Sequence, residues 1–451
     1  MKLPDEYLSS MKKILKNDFD KFIKSCDEPA FRAVRINTLK CSIEQAKNIL
    51  PLRLKQTPFA YNSFYISGDI EKIGSNPLHH AGVFYVQEPS ASSAVAALAP
   101  KPGDRVLDLC AAPGGKSTQI AECLAGSGLL WSNEIVKNRA RILLSNIERM
   151  GVRNAVVSSC HPETLCSRLA GFFDKVLVDA PCSGEGMFRR NNEAIAEWSQ
   201  EHVESCAIRQ LSILNTASRA VRCGGTLVYS TCTFSIEENE CVVNEFLKNN
   251  SNFILEKIDE DFGRCGIEID GNTDLNKTRR IFPMDGGEGH FVAKFIRIGE
   301  NVDYPDMYEY SYKDRQNIKM ANELFSGLFK INPYGKVQVI GDKAMMLPSG
   351  LPSISGLGVI RAGVLMGEIK KGRIEPAHSL FISANKDELR NVLNFDAESE
   401  EIKKYLQGLE IDINSNLNSY VGVSVNNILV GFGKCSNNKL KNKYPKGLRN
   451  N

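Results

Sequence analysis

Two cysteines lie in short motifs that can supply a nucleophilic thiol. Cys182 ends the run Asp179-Ala-Pro-Cys182, and Cys232 ends the run Ser230-Thr-Cys232. A free thiol is mostly protonated at neutral pH, so it needs a nearby base, cation or helix terminus to act as a nucleophile. A single cysteine after a strand most often only packs against its neighbours. Two such cysteines, one of them in a run that begins with an acid, favour covalent chemistry.

A glycine-rich run, Asp108-Leu-Cys-Ala-Ala-Pro-Gly-Gly-Lys-Ser117, is the second candidate site. Its glycines allow a ligand to approach the backbone, and the helix that it opens favours negative charge at its N-terminus. A Walker loop requires a glycine where Cys110 stands, Pro113 interrupts the loop, and the run contains no Gly-x-Gly-x-x-Gly. An adenosyl cofactor without a polyphosphate fits better, with Glu134 placed to accept hydrogen bonds from both ribose hydroxyls.

Short apolar segments place these motifs at one edge of a predicted sheet. We predict a helix at 114–124 and five strands, at 106–109, 129–132, 155–158, 175–178 and 226–230. Buried strands separated by helices favour a doubly wound, mostly parallel sheet of the α/β class. Ligands bind beyond the carboxyl ends of such strands, where we expect Asp108, Glu134, Asp179 and Cys232.

The composition is that of an ordinary globular protein. The chain has 451 residues, which suits two or three domains, with 42% hydrophobic and 24% charged residues and a net charge of +3. This composition excludes wholesale disorder and fibrous structure, and the charge alone does not indicate a nucleic-acid binder. The apolar runs are shorter than the ~18 residues of a membrane span, and no apolar signal segment follows Met1. We therefore expect a cytoplasmic protein.

The thirteen cysteines and six histidines show no spacing typical of a metal site. No Cys-x-x-Cys, His-Glu-x-x-His or zinc-finger pattern occurs, so we expect no bound metal. Without a secretion signal, a disulfide framework is not expected either. Most of these cysteines are expected to act as small buried hydrophobic residues.

Changes in sequence texture divide the chain into four parts. Residues 1–92 mix helical and strand patterns without a catalytic constellation, 93–298 contain the motifs above, 299–315 form a polar, tyrosine-rich linker, and 316–451 are glycine-rich with strand-like pieces. The last eighteen residues carry no acid and six basic residues: Lys434, Lys439, Lys441, Lys443, Lys446 and Arg449. On charge alone, a solvated tail and an edge that contacts phosphates both stay open.

Taken together, the motifs resemble the RNA (cytosine-5)-methyltransferases of the Sun/nucleolar-protein family. Four motifs support this resemblance: YVQEPSA at 85–91 and the runs that end at Lys116, Cys182 and Cys232. The resemblance covers almost the whole chain. GEGHFV at 287–292 and KNKYPKGLR at 441–449 are similar to the bacterial small-subunit ribosomal RNA methyltransferase F branch. This resemblance implies a Rossmann-like methyltransferase domain, an N-terminal α+β RNA-binding domain and a C-terminal PUA-like RNA-binding module.

The resemblance also implies roles for individual residues. Cys232 would attack carbon 6 of cytosine, Cys182 would assist removal of the carbon-5 proton and release of the intermediate, Asp179 would hold N3 and the exocyclic amine, and Lys116 would reach the same base. The implied cofactor is S-adenosylmethionine, held by Cys110, Ala111, Ala112, Pro113, Gly114, Gly115, Lys116, Glu134, His161 and Asp179. His161-Pro162 replaces the family's Asp-Pro step beside the adenine. This departure bears on cofactor affinity rather than on the reaction type.

The expected substrate is RNA, and the branch implies a cytosine of small-subunit ribosomal RNA near the decoding site. A paired base must be flipped out, and duplex RNA offers little readable sequence, so recognition is expected through shape and phosphates. Two alternatives stay open: the same chemistry on transfer RNA, and a ribosome-assembly protein with a decayed site. A DNA cytosine-5 methyltransferase is disfavoured, since the only Glu-Asn-Val, at 300–302, lies beyond the fifth strand. We expect a monomer.

Overall fold

The computed structural model of the protein describes residues 1–67, 73–300, 305–311 and 314–450. Residues 301–304 and 312–313 fall within the predicted linker, and 301–302 belong to the Glu-Asn-Val run, so those parts of both predictions lie outside the described residues. Within the described ranges, no helix combines the length and the apolar character that crossing a membrane requires.

The N-terminal region combines five helices with a four-stranded antiparallel sheet. The helices are α1 (Asp5–Leu15), α2 (Phe19–Cys26), α3 (Ile43–Ile49), α4 (Pro77–His80) and α5 (Ser93–Leu98). The strands, in the order β2-β3-β1-β4, are β1 (Ala33–Ile36), β2 (Arg53–Gln56), β3 (Ser63–Ser67) and β4 (Phe84–Val86). Helix α3 has a capping box, because the Ser42 and Gln45 side chains each accept a hydrogen bond from the other residue's backbone N–H.

Five parallel strands form the centre of the main sheet, as the sequence predicted. In the order β7-β6-β5-β8-β9, they are β5 (Arg105–Asp108), β6 (Leu129–Asn133), β7 (Ala155–Ser158), β8 (Phe173–Asp179) and β9 (Val221–Thr231). The accompanying helices are α6 (Gly115–Leu124), α7 (Lys137–Arg149), α8 (Pro162–Arg168), α9 (Asn192–Glu197), α10 (Gln200–Ser218) and α11 (Glu240–Asn249). Because the strand order reverses at β5, a ligand crevice opens at the carboxyl ends of β5 and β8.

The edges of this sheet are antiparallel, so the ten-stranded sheet is more mixed than the sequence indicated. Beyond β9 lie β10 (Phe253–Glu256), β11 (Arg264–Cys265), β12 (Arg279–Ile281) and β13 (His290–Arg297). Strand β13 pairs antiparallel with β9, and β12 pairs with β13 across a short connection. A connection of that length can join antiparallel neighbours but is too short for a parallel crossover.

The C-terminal region contains two small sheets and returns one strand to the main sheet. Its helices are α12 (Arg315–Leu328), α13 (His378–Ile382) and α14 (Glu400–Gln407). The first sheet, in the order β14-β15-β17-β18, contains β14 (Lys336–Ile340), β15 (Lys343–Leu347), β17 (Val364–Lys370) and β18 (Arg373–Pro376), and β16 (Val359–Ala362) pairs with β7. The second, in the order β19-β21-β22-β23-β20, contains β19 (Val392–Phe395), β20 (Ile411–Asp412), β21 (Tyr420–Val425), β22 (Ile428–Ser436) and β23 (Lys439–Asn442).

Apolar side chains fill both faces of the main sheet, which explains why its central strands read as short, continuous apolar runs. Trp131 and Phe173 lie in the cluster on one face, and Leu130 and Leu177 lie in the cluster on the other. A third cluster joins the N-terminal sheet to the last C-terminal sheet. The two ends of the chain therefore share one core.

A buried arginine ties the N-terminal region to the glycine-rich loop. Arg35 on β1 is fully buried and forms an ion pair with Glu122 on α6. Its guanidinium also donates to the Gly115 carbonyl at 2.9 Å and to the Thr118 hydroxyl at 2.6 Å. The start of α6 is thus held from outside the methyltransferase domain, by a residue that sequence reasoning did not single out.

Candidate active site

The two motif cysteines meet at the carboxyl ends of β8 and β9. Their Sγ atoms lie 3.1 Å apart, and the Cys232 backbone N–H points at the Cys182 sulfur at 3.4 Å. The hydrogen bond to Cys232, together with burial, raises the pKa of Cys182 well above its ordinary value. A raised pKa favours the protonated thiol at Cys182.

A buried carboxylate holds the loop that carries Cys182. Glu238 accepts hydrogen bonds from the backbone N–H of Ser183 at 3.0 Å, from the Ser183 hydroxyl, and from the Gln210 amide at 2.7 Å. The Tyr229 hydroxyl donates to the Glu238 carbonyl at 2.6 Å. These bonds link the Cys182 loop to the segment after Cys232, which explains how the two sulfurs are held together.

A second buried carboxylate supports the same two loops. Glu185 accepts from the Trp198 indole at 2.9 Å and from the Phe234 backbone N–H at 2.8 Å. Burial raises the pKa of Glu185 to about 7, against the effect of these hydrogen bonds. Neither Glu185 nor Glu238 was predicted as a site residue; both follow a motif cysteine closely, which is the only signal that the sequence offers.

Asp179 and Lys116 form the charged part of the pocket. Lys116 Nζ donates to Asp179 Oδ2 at 2.8 Å, and the Ser230 hydroxyl donates to Asp179 Oδ1 at 2.7 Å. Burial alone would raise the pKa of Asp179. The Lys116 cation, His290 and the hydrogen bonds from Lys116 and Ser230 together outweigh burial and hold that pKa below its usual range. Asp179 is therefore an ionised carboxylate at neutral pH. The structure thus brings together all four residues that were predicted to be catalytic.

His290 is a pocket residue that sequence reasoning missed, although its motif was noted. Its Nε2 lies 3.8 Å from Asp179 Oδ1, and its side chain is 2% exposed. The preceding Gly289 has φ +148°, and a Cβ there would lie 2.5 Å from the Phe234 ring, so no other residue fits. This close packing seats His290 beside the pocket.

The glycine-rich loop turns at the carboxyl end of β5 and enters α6 as predicted. Side chains of α7 secure it: Arg139 donates to the Ala112 carbonyl at 3.2 Å, and Asn146 donates to the Pro113 carbonyl at 2.9 Å. Gly114 has φ +115°, a conformation that side chains disfavour. Of the other loop residues predicted to hold the cofactor, Cys110 and Ala111 lie in the same turn and Gly115 begins α6.

Two acids end the strands beside this loop. Asp108 is fully buried; its Oδ2 accepts from the Ser117 hydroxyl at 2.7 Å, and its Oδ1 has no hydrogen-bond partner in the described part of the chain. Burial raises the pKa of Asp108 to about 7. Glu134 is buried at the end of β6, where Oε1 accepts from the Val136 N–H at 2.9 Å and Oε2 pairs with Arg139 at 3.3 Å.

His161 lies apart from these acids, at the start of α8. Its Nδ1 accepts a hydrogen bond from the Glu163 N–H at 3.3 Å, so the ring caps the helix, and the residue is exposed. Its Nε2 stays available for a ligand. The structure places His161 at the carboxyl end of β7, on the same edge as the other predicted cofactor residues.

Three of the six basic C-terminal residues, Lys434, Lys439 and Lys441, belong to the hairpin of β22 and β23, and the other three lie in the segment that follows it. Lys434 on β22 lies directly opposite Lys441 on β23, and both are exposed. Lys439 comes no closer than 3.9 Å to an acid, Asp412. Like charges opposite each other destabilise a strand pair, so this arrangement has a cost in stability.

Four protein-family models match most of the chain. Residues 95–296 match the 16S rRNA methyltransferase RsmB/F model, and 3–89 match the N-terminal domain of 16S rRNA methyltransferase RsmF. Residues 323–383 match the RsmF rRNA methyltransferase first C-terminal domain, and 392–450 match the methyltransferase RsmF PUA domain. The region predicted as one PUA-like module therefore contains two domains, of which the second is the PUA domain.

Curated relatives and solved structures agree. Ribosomal RNA small subunit methyltransferase F of Vibrio vulnificus strain YJ016 is 31% identical, over 99% of this chain and 97% of its own. The protein of the same name from Vibrio cholerae strain M66-2 is 30% identical, again over 99% of this chain and 97% of its own. A methyltransferase homologue from Pyrococcus horikoshii, 28% identical, superposes with TM-score 0.57 over 64% of this chain and 94% of its own. NSun6 from the same organism, solved with the S-adenosylmethionine analogue SFG, is 25% identical. It superposes with TM-score 0.56 over 66% of this chain and 99% of its own.

These matches confirm the resemblance that the motifs indicated, and the fold and cofactor class with it. The methyltransferase domain matches a model shared by RsmB and RsmF, and the N-terminal and two C-terminal matches are to RsmF models. The chain belongs to the ribosomal RNA small subunit methyltransferase F family of S-adenosylmethionine-dependent RNA methyltransferases.

Proposed function

We propose that this protein transfers a methyl group from S-adenosylmethionine to carbon 5 of a cytosine in small-subunit ribosomal RNA, near the decoding site. The observation that carries the proposal is the thiol pair, with sulfurs 3.1 Å apart, in the pocket edge that also holds the Lys116–Asp179 ion pair. Family membership supplies the RNA substrate class. The relatives are named for ribosomal RNA of the small subunit.

The chemistry needs a soft nucleophile because carbon 5 of cytosine is itself a weak one. In the proposed reaction the Cys232 thiolate forms a bond to carbon 6, and the electrons of the 5,6 double bond become available at carbon 5. When bound, S-adenosylmethionine supplies the electrophilic methyl group that carbon 5 receives. The carbon-5 proton then leaves, the bond from sulfur to carbon 6 breaks, and the double bond is restored.

Asp179 and Lys116 activate the base in this proposal. The ionised Asp179 carboxylate accepts hydrogen bonds from a protonated N3 and from the exocyclic amine, which keeps the ring electron-poor when the thiolate adds. Lys116 holds this carboxylate ionised through their 2.8 Å contact and itself reaches the base. A carboxylate accepts but does not donate, so this arrangement disfavours uracil, which presents an oxygen in place of the amine.

Cys182 assists the last step. Its raised pKa keeps it protonated beside Cys232, so it can return a proton to the departing thiolate or relay the carbon-5 proton. We assign it no bond to the base. Loss of this thiol is therefore expected to leave the addition intact and to block release.

The residues at the strand ends fit an adenosyl cofactor. The orphaned Oδ1 of Asp108 is a buried acceptor that a bound donor would satisfy. Glu134 would accept from the ribose hydroxyls, the loop of residues 110–116 would line the methionine and adenosine, and His161 would offer Nε2 beside the adenine. Asp179 lies where these residues meet the base pocket.

RNA is proposed to bind across the N-terminal region and the C-terminal domains. The facing pair Lys434 and Lys441, with Lys439, Lys443 and Lys446 close in sequence, forms an exposed basic strip. A strand pair that accepts such repulsion is better explained by contact with phosphates than by stability. We further propose a cytoplasmic monomer that acts on RNA and not on DNA.

Bisulfite mapping of total RNA from cells with and without this protein tests the proposal. One cytosine of small-subunit ribosomal RNA near the decoding site should lose its protection only in the deletion strain. If a cytosine of transfer RNA loses its protection instead, the proposed reaction stands and its substrate is transfer RNA. No change in any RNA would favour the alternative of a decayed ribosome-assembly protein.

A further inference from the structure

His290 is a buried polar residue that has no role in the reaction proposed above. Its side chain is 2% exposed, and neither Nδ1 nor Nε2 has a hydrogen-bond partner among residues that the structure describes. Leaving a buried polar group unpaired costs roughly 1–3 kcal/mol. A group that the fold leaves in this state beside the Lys116–Asp179 ion pair is expected to find its partner in a ligand.

Strand register places this side chain on the same face as the support of Asp179. Strands β13 and β9 pair antiparallel with Val292 opposite Ser230. Side chains alternate along a strand, and directly opposed residues share a face. His290, two residues before Val292, therefore lies on the face of the sheet that carries Ser230, whose hydroxyl donates to Asp179.

The ring is neutral under working conditions. Burial and the Lys116 cation lower the pKa of His290 to about 3, although the Asp179 carboxylate opposes the shift. The Gly289 backbone also opposes it, through a polar contact that falls short of hydrogen-bond geometry. A neutral imidazole carries one N–H. Because Nε2 faces the Asp179 carboxylate, the tautomer with the proton on Nε2 is favoured.

The distance between these two groups suits a shared ligand. At 3.8 Å, Nε2 and Asp179 Oδ1 are too far apart for a hydrogen bond with each other. They instead present an N–H donor and a carboxylate acceptor side by side. A cytosine protonated at N3 presents the complement on one edge, because its N3–H donor is adjacent to its O2 acceptor.

We propose that His290 contacts the substrate, donating its Nε2–H to O2 of the target cytosine while Asp179 accepts from N3. Addition of a thiolate at carbon 6 moves negative charge toward N3 and O2, so this hydrogen bond strengthens as the bond forms. The inference rests on the proposed function. His290 would be a neutral hydrogen-bond donor to the base, in addition to the charged donor Lys116.

Methylation of an RNA carrying either cytidine or 2-thiocytidine at the target position tests this contact, because sulfur is a weaker acceptor than oxygen. His290→Phe removes the donor, and His290→Gln keeps an N–H. With cytidine, we expect kcat/KM to fall about 10–100-fold in His290→Phe and less than about tenfold in His290→Gln. The wild type should lose about tenfold on 2-thiocytidine, and His290→Phe no more than about threefold.

Independent, additive losses from the substitution and from 2-thiocytidine would overturn the proposal, since the two changes would then not share a contact. Unfolding by tryptophan fluorescence and calorimetric S-adenosylmethionine affinity control for a structural effect. If His290→Phe fails to fold, the same comparison with His290→Gln decides. If both variants lose folding, His290 is structural and the proposal fails. A wild type that methylates no cytosine overturns the proposed function as well.

Discussion

The two halves of the catalytic edge differ in how completely the protein satisfies their buried acids. We call the loops after β8 and β9 the cysteine edge and the loops after β5, β6 and β7 the cofactor edge. On the cysteine edge, both oxygens of Glu185 and both of Glu238 accept hydrogen bonds from the protein. On the cofactor edge, Oδ1 of Asp108 has no partner in the described ranges, and Glu134 pairs with Arg139, whose side chain is 55% exposed.

This difference matches the work that each half is proposed to do. Two sulfurs held at 3.1 Å must be in place before the substrate arrives, so their supports are built into the fold. A cofactor must enter and leave. Asp108 Oδ1 is accordingly left open and Glu134 Oε2 is paired with the exposed Arg139, although Glu134 Oε1 accepts from the Val136 backbone N–H. Substitutions in the cysteine edge are therefore expected to lower stability and the rate of methylation. Substitutions in the cofactor edge are expected to weaken S-adenosylmethionine binding.

Removal of the sulfurs gives the largest expected effect. Cys232→Ala should abolish both methylation and the covalent enzyme–RNA adduct, a loss of at least about 10³-fold. Cys182→Ala should accumulate the adduct, because addition proceeds and release does not. Denaturing gels with labelled RNA distinguish the two results. A Cys232→Ala protein that still methylates would reverse the assignment, and Cys241→Ala, on an exposed cysteine, is the matched control.

Glu238→Gln tests whether the hydrogen bonds that hold the cysteine edge contribute to the stability of the fold. The amide places an N–H₂ group against the donors on Ser183 and Gln210, which should cost about 2–4 kcal/mol of stability. Both tryptophans of the chain, Trp131 and Trp198, are buried in the methyltransferase domain, so their fluorescence reports its unfolding. Methylation should fall while calorimetric cofactor affinity stays within about twofold. Unchanged stability would contradict the comparison.

Asp108→Asn tests the unsatisfied acid on the cofactor edge through the pH dependence of stability. Burial raises the pKa of Asp108 from 3.8 to about 7, so the folded state binds a proton that the unfolded state releases. Its contribution is favourable below pH ~4 and is lost as pH rises to ~7, by up to about 1.4 kcal/mol per pH unit. Denaturant unfolding at several pH values should show a flatter profile for the variant, by about 1–3 kcal/mol. Parallel profiles would show that Asp108 is already ionised.

Two substitutions should affect cofactor affinity alone, and to different degrees. Glu134→Gln is expected to weaken S-adenosylmethionine binding about tenfold, because one charge-assisted acceptor for the ribose is lost. His161→Ala is expected to weaken it by less than about threefold, because the exposed ring already uses Nδ1 to cap α8. Calorimetry measures both, with unfolding as the control. A larger effect at His161 would show that its Nε2 is a major adenine contact.

Much of the fold follows from local pattern. The five parallel strands and helix α6 lie within about five residues of their predicted positions, because periodicity and turn residues are local signals. The antiparallel edges and the return of β16 to the main sheet were not predicted. Their pairing depends on which segments meet in three dimensions, and short strands carry little periodicity of their own.

The site divides in the same way. Motif chemistry by itself determined which residue types could react: two thiols, an acid and a lysine at strand ends, with a glycine-rich loop beside them. Only the tertiary structure decided that the two sulfurs meet and that the pKa of Cys182 is raised, that Glu185 and Glu238 hold the loops, and that His290 faces Asp179 without a hydrogen-bond partner in the described ranges. The physical reason is that protonation and hydrogen bonding depend on burial and on neighbours distant in sequence, which no local pattern encodes.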